Sequence, residues 1–248
     1  MARYFIQLSY DGTNYHGWQI QPNAVTVQST LNKALSTLLR TPVETIGCGR
    51  TDTGVHAKMY FAHFDFPSTI AIDSRFIRSL NGILPMDIAI QQLFQVSDEA
   101  HARFDAVSRQ YEYHLISVKD PFLRHWACYW PYELDLGKMN EACSLLLKQN
   151  DFSCFCKGLT DDQSTICKVT DAQWFSISDR LVFSITANRF LRNMVRAITG
   201  TLLELGENKL SLKDFTSIME SGNRSDAGSS VPAHGLYLTR IEYPFVKK

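Results

Sequence analysis

The sequence predicts an α+β chain made of two ferredoxin-like halves, residues 1–105 and 106–248. Three observations lead to this prediction. The order strand–helix–strand–strand–helix–strand occurs twice along the chain, with one further helix in the second half. Predicted strands alternate apolar and polar residues, whereas predicted helices repeat apolar residues every three or four positions. The chain has 248 residues, 45% hydrophobic and 20% charged, which is enough for a large core. We expect the antiparallel sheets of the halves to join around a central cleft.

The first half contains four predicted strands and two predicted helices. The first strand ends at the Asp11-Gly12 turn. Thr26 can cap the first helix and Asp73 the second, because a side-chain oxygen at this position accepts a free backbone N–H. The predicted strands are 4–10, 43–48, 59–66 and 87–95, and the predicted helices are 27–40 and 74–80.

The second half repeats this order. Asp135 can cap its first helix and Ser211 its last, and Gly206 ends the helix between them. A loop at 97–106 precedes this half, and a polar loop at 154–163 lies within it. The predicted strands are 110–118, 166–177, 180–188 and 236–243, and the other predicted helices are 190–205 and 211–220.

A glycine-rich loop is predicted between the second and third strands. Three glycines in eight residues let the backbone turn where a Cβ atom would clash. The loop presents Asp52 with the guanidinium of Arg50 nearby, which favours the ionised carboxylate. An ionised, fixed Asp can act as a nucleophile or a general base. The loop has the sequence Gly47-Cys48-Gly49-Arg50-Thr51-Asp52-Thr53-Gly54-Val55-His56-Ala57.

Residue context leaves three interpretations of Asp52 open. An Asp in such a loop commonly bonds its own backbone and only shapes the turn. Asp-Thr-Gly also matches the aspartic protease motif, whose chemistry needs two carboxylates sharing a proton. The sequence contains no second Asp-Thr-Gly or Asp-Ser-Gly, so one molecule cannot supply this pair. The third interpretation is a lone nucleophile.

The segment Gly49–Ala57 resembles the signature of the TruA family of tRNA pseudouridine synthases. Five further segments resemble motifs of this family and follow its order, from residue 4 to about residue 243. They are Tyr10-Asp11-Gly12-Thr13 with Gly17-Trp18-Gln19, Asn81–Pro85, Arg109–Tyr113, Phe190–Arg196 and Pro232–Leu238.

The resemblance implies the pseudouridine synthase fold and an isomerase that acts on uridines 38, 39 and 40, on the 3′ side of the anticodon stem and loop of tRNA. It implies that Asp52 is the nucleophile and Arg196 its partner. Tyr111 is expected to stack on the uracil and Leu236 to line its pocket. It also implies a homodimer. The isomerisation needs no cofactor, and the sequence contains neither G-x-x-x-x-G-K nor G-x-G-x-x-G.

Charge and aromatic residues bear on RNA binding. The 25 basic and 25 acidic residues cancel, which argues mildly against a nucleic-acid partner unless a basic face is segregated. Acidic residues collect at 133–135 and 161–162, apart from the arginines. Two tyrosines, Tyr111 and Tyr113, are two apart on a strand and so face one side, either as core or as a stacking surface. The candidate RNA-contacting arginines are Arg78, Arg109, Arg189 and Arg192.

The alternatives are a pseudouridine synthase that acts on other RNA, an RNA-binding module without catalysis and, more remotely, an aspartic protease that forms its carboxylate pair as a dimer. No metal site is expected, because Cys154-Phe155-Cys156 lacks the spacing of zinc ligands. No run of about 18 apolar residues occurs, and the N-terminus has a strand pattern rather than that of a signal peptide. Six cysteines in such a chain indicate reduced thiols and a cytoplasmic protein.

Overall fold

The computed structural model describes residues 1–67, 69–158 and 164–246. In these residues the chain has nine strands and five α-helices, so the predicted α+β class is confirmed. Contacts between Cα atoms divide the chain into two compact units. The first unit is Met1–Val107 with Tyr237–Lys248, and the second is Ser108–Leu236. Within the polar loop predicted at 154–163, residues 159–163 lie outside the described residues, and these include the acidic pair at 161–162.

The first unit contains all six elements predicted for the first half, in the predicted order. The elements are β1 (Ala2–Tyr10), α1 (Val27–Leu39), β2 (Ile46–Gly47), β3 (His56–Phe66), α2 (Ser74–Ile83) and β4 (Ile88–Val96). The strands pair in the order β4-β1-β3-β2, and each pair is antiparallel, as in a ferredoxin-like unit.

Both helices of this unit begin where the sequence predicts. Thr26 caps α1 by accepting the N–H of Ser29, whose side chain bonds back to Thr26. Asp73 caps α2 by accepting the N–H of Phe76 at 2.8 Å. α1 packs its apolar face inward, with Val27, Leu31 and Leu35 fully buried.

The second unit is built on three antiparallel strands and three helices. The elements are β5 (Ser108–Ile116), β6 (Cys128–Tyr129), α3 (Leu136–Leu146), β7 (Val169–Ile177), β8 (Arg180–Ala187), α4 (Met194–Gly206) and α5 (Leu212–Ser221), followed by β9 (Leu236–Glu242). The three longer strands pair in the order β5-β8-β7, and the two-residue strand β6 adds to β5 in parallel.

Strand β9 carries the chain from the second unit back to the first. It pairs in parallel with β3 through His56–Tyr237 and Ala57–Leu238. The predicted halves follow the chain order, whereas residues from Tyr237 onward group with the first unit because of this pairing.

Several details differ from the sequence prediction. The helix expected from Phe190 begins only at Met194, because Asn193 has φ 66° and so lies in the left-handed region, which interrupts a right-handed helix. Neither β6 nor the 3₁₀ turn at Ser153–Phe155 was predicted, since each is too short to show a periodic pattern. The strand expected from Ile166 begins at Val169.

All six cysteines are buried, and none of them forms a disulfide. Within the described ranges, no group of three or more His, Cys, Asp or Glu residues is arranged to hold a metal ion. No helix in this part of the chain is both long and apolar enough to cross a bilayer.

Candidate active site

The loop that carries Asp52 is a tight turn between β2 and β3. The N–H of Val55 donates to the carbonyl of Asp52 at 3.2 Å, and Gly54, between them, has φ 78°. Thr51 and Val55 are buried, whereas Asp52 is half-buried. The turn therefore anchors its flanks in the protein and leaves the carboxylate partly accessible.

The segment that follows β1 holds this loop on one side. The N–H of Trp18 donates to the carbonyl of Thr51 at 3.2 Å, and the N–H of Gly54 donates to the carbonyl of Tyr15 at 3.3 Å. The hydroxyls of Tyr10 and Thr51 share a buried hydrogen bond of 2.9 Å. The backbone on each side of Asp52 is thus fixed by the sequence segment 10–18.

Aromatic rings hold the start of the loop. The hydroxyl of Tyr60 donates to the carbonyl of Gly49 at 2.5 Å, and its ring stacks on Trp18 with centroids 4.1 Å apart. A Cβ atom on Gly47 would lie 2.2 Å from the Tyr60 hydroxyl and 2.4 Å from Nε1 of Trp18. Glycine at 47 therefore makes room for the two rings that support the loop.

His56 fixes the end of the loop. Its Nδ1 atom accepts the N–H of Gly12 at 3.1 Å and lies 3.0 Å from a carboxylate oxygen of Asp11. Its ring stacks on Tyr237 of β9 with centroids 4.7 Å apart. These contacts give His56 a local structural role.

Arg50 does not pair with Asp52. Its side chain is exposed and makes no hydrogen bond or ion pair with any described residue. The sequence predicts this guanidinium beside the carboxylate, whereas the structure forms no such pair. Arg50 is therefore available to a group outside the chain.

The two tyrosines of β5 have different environments. Tyr113 is fully buried and donates its hydroxyl to the carbonyl of Pro232 at 2.8 Å, and burial raises the pKa of its phenol far above the usual value. Tyr111 is half-buried and packs edge-to-face against Phe190, with centroids 5.1 Å apart. Of the two predicted alternatives, Tyr113 is core, and Tyr111 keeps an accessible ring.

Arg196 lies in the first turn of α4 and is half-buried. Its Nε–H donates to the carbonyl of Val231 at 2.8 Å, and the N–H of Val231 donates to the carbonyl of Arg196 at 3.2 Å. Leu236, which is 6% exposed, begins β9 directly after a 3₁₀ turn at Ala233–Gly235. A Cβ atom on Gly235 would lie 2.7 Å from the ring of Tyr113, so glycine lets this segment pack closely on β5.

The other candidate arginines lie at the surface or on loops. Arg189 and Arg192 are exposed and precede α4, so they lie outside the helix that carries Arg196. Arg109, on β5, donates to the carbonyl of Asn188 at 2.8 Å. Arg78 is exposed on α2 of the first unit.

Comparison with known proteins identifies the family. A family model described as tRNA pseudouridine synthase matches residues 142–244. The tRNA pseudouridine synthase A of Porphyromonas gingivalis is 51% identical over 247 residues, covering 98% of this chain and 98% of that protein. The chain belongs to the tRNA pseudouridine synthase A family. Proteins of the same name from Bacteroides fragilis and Bacillus pumilus are 49% and 39% identical, over 98% and 95% of this chain and 97% of each relative.

The candidate site residues that the TruA resemblance implies are divided between the two units. The first unit contains Asp52, Arg50 and Arg78. The second unit contains the other candidates, which are Tyr111, Arg109, Arg189, Arg192, Arg196 and Leu236. Sequence reasoning missed the residues that hold the loop, chiefly Tyr15, Thr51 and Tyr60. The TruA-like segment at 10–19 was the sequence signal that could have pointed to these contacts, because its Gly12 and Gly17 both pack on the loop backbone.

Proposed function

We propose that the protein isomerises uridine to pseudouridine in tRNA, with Asp52 as the nucleophile. The observation that carries the proposal is the half-buried carboxylate on a loop whose backbone is bonded by Tyr15 and Trp18 on either side. Support comes from relatives named tRNA pseudouridine synthase A that align over nearly the whole chain. The substrate implied by the family resemblance is the 3′ side of the anticodon stem and loop of tRNA.

The reaction breaks the bond between C1′ and N1, turns the uracil and joins C5 to C1′. N1 gains a proton and C5 loses one, so no atom is gained or lost overall and no cofactor is required. A base stacked in an RNA stem must first leave the stack, and a side chain such as Arg50 can occupy the vacated space. Asp52 then attacks C6 of the base or C1′ of the sugar.

The second unit supplies the other proposed roles. The accessible ring of Tyr111 stacks on the uracil, and its hydroxyl accepts the C5 proton. Arg196, whose Nε–H is bonded to Val231, is the proposed partner of the Asp52 carboxylate, as the family resemblance implies. Leu236 lines the uracil pocket. The arginines that contact the RNA backbone are Arg78, Arg109, Arg189 and Arg192.

We further propose that the protein works as a cytoplasmic homodimer. Each chain has a single Asp52 loop and a net charge of zero. A dimer lets one subunit hold the tRNA while the other modifies it, which compensates for the lack of net positive charge on one chain.

Replacing Asp52 with Ala tests the proposal. We expect tRNA binding close to that of the wild type and no pseudouridine when the product is mapped by carbodiimide modification. Asp65→Ala, which removes an exposed carboxylate of the same unit outside the loop, is the matched control and should remain active. Pseudouridine above background in the Asp52 variant would refute the nucleophile assignment. Wild-type protein that binds tRNA and forms no product would favour the RNA-binding module.

A further inference from the structure

Asp87, which lies just before β4, is bonded to the segment that holds the Asp52 loop. One of its carboxylate oxygens accepts the hydroxyl of Tyr15 at 2.5 Å, and the other accepts the side-chain amide of Asn14 at 3.3 Å. Its backbone carbonyl accepts the N–H of Asp11 at 2.9 Å. A hydrogen bond to an ionised carboxylate is stronger than one between neutral groups. Asp87 therefore holds residues 11–15 of this segment in place.

Tyr15 connects Asp87 to the loop, because its side chain contacts Asp87 and its backbone contacts the loop. Its side chain is 4% exposed and its hydroxyl is bonded to Asp87, while its backbone carbonyl accepts the N–H of Gly54 at 3.3 Å. Gly54 lies two residues after Asp52, inside the turn closed by Val55. Burial, together with the bond to Asp87, raises the pKa of Tyr15 far above its usual value, so its hydroxyl remains a donor throughout the physiological range.

We propose that Asp87 is a positioning residue for the Asp52 carboxylate and acts through Tyr15. The inference rests on the proposed function, since it assumes that Asp52 reacts. Position 54 sets the direction in which the turn presents the carboxylate, because its N–H is held and its φ of 78° is fixed by the surrounding bonds. A displacement of about 1 Å in a reacting group can slow a reaction about a hundredfold without weakening substrate binding.

The test separates the chemical rate from tRNA binding. Single-turnover rates at saturating enzyme are measured as release of tritium from C5 of uridine in tRNA, and tRNA dissociation constants are measured independently. We expect Tyr15→Phe and Asp87→Ala each to slow the reaction about ten- to a hundredfold and to change the dissociation constant less than about twofold. The double variant should be no slower than the worse single variant, because both act through one path. Asp87→Asn keeps an oxygen that accepts the Tyr15 hydroxyl and should recover most of the rate.

Two controls distinguish positioning from general destabilisation. Asn14→Ala removes the other side-chain bond to Asp87, which does not lead to the loop, and should leave the rate unchanged. Asp65→Ala removes an exposed ion pair with Arg3 elsewhere in the unit and should lower stability without slowing the reaction. Wild-type rates for folded Tyr15→Phe and Asp87→Ala, or Asp87→Asn as slow as Asp87→Ala, would overturn the inference. If Asp52→Ala stays active or the wild type forms no pseudouridine, the proposed function fails instead.

Discussion

The carbonyl oxygen of Thr51 lies 2.4 Å from the position that a Cβ atom on Gly17 would occupy. Gly17 also has φ 83°, a conformation that other residues adopt at a cost of about 1–2 kcal/mol. We expect Gly17→Ala to lower the free energy of unfolding by at least this amount. The single-turnover rate of the folded variant should also fall, because the clash lies on the backbone next to Asp52. Urea unfolding and single-turnover rates measure the two effects.

Gly82→Ala is the matched control for that substitution. A Cβ atom at position 82 meets nothing within 4 Å, and the residue lies in α2. Alanine is favoured over glycine in a helix by about 0.5–1 kcal/mol, so this variant should be as stable as the wild type or slightly more stable. An equal loss of stability in both variants would contradict the explanation that a Cβ atom on residue 17 clashes with the carbonyl of Thr51.

The buried hydrogen bond between Tyr10 and Thr51 gives a second prediction. Removing either hydroxyl takes away this buried hydrogen bond, which costs about 0.5–1.5 kcal/mol. We expect Tyr10→Phe and Thr51→Val each to lower the free energy of unfolding by this amount. The double variant should lose less than the sum, because the two changes remove one shared interaction. Additive losses in urea unfolding would show that the hydroxyls act independently.

The sequence predicted the elements of the first unit because each has a local cause. The caps at Thr26 and Asp73 and the strand patterns of β1 and β3 are readable from neighbouring residues, and the structure confirms both caps and both strands. The predicted start of α4 was wrong, because apolar residues continue upstream of the helix while the backbone at Asn193 turns left-handed.

The contacts that hold the Asp52 loop could not be predicted in the same way. The bonds from Tyr15 and Trp18 to the loop join backbone atoms more than 30 residues apart, and such contacts leave no periodic pattern in the sequence. Two-residue spacing placed Tyr111 and Tyr113 on one side of a strand. Only the contact of Tyr113 with Pro232 decides which ring is core.

Arg196 gives a prediction that separates charge from geometry. Its Nε–H is committed to the carbonyl of Val231, which orients the rest of the guanidinium. Lysine keeps the charge but lacks this donor and the planar fork. We expect Arg196→Lys to reduce kcat about tenfold or more, with a KM for tRNA close to that of the wild type.

Arg180→Lys is the control for Arg196→Lys. Arg180 is a half-buried arginine of the same unit, at the start of β8, and is not among the candidate residues. Its replacement should leave kcat unchanged. If Arg196→Lys raised KM and left kcat intact, Arg196 would contribute to tRNA binding rather than to the chemical step.

His63 gives the pH dependence of stability. It is 1% exposed on β3, its Nδ1 accepts the N–H of Ala102 at 3.1 Å, and its ring stacks on Phe5. Burial, the neighbouring His101 and Arg3 lower its pKa to about 4, and the acidic residues Asp65 and Asp105 oppose this only in part. In the unfolded chain the pKa is about 6.5. As pH falls, the unfolded state therefore binds a proton first, so stability is complete above pH 6.5 and is lost between pH 6.5 and pH 4.

We expect the wild type to lose about 2–3 kcal/mol of unfolding free energy to this group between pH 7 and pH 4. His63→Asn keeps an oxygen that accepts the Ala102 N–H but does not titrate. The variant should be less stable than the wild type at pH 7, because it loses the ring contact with Phe5, and the difference should narrow as pH falls. Urea unfolding at pH 7, 6, 5 and 4 measures both curves. A constant difference between them would mean that His63 has the same pKa in the folded and the unfolded protein.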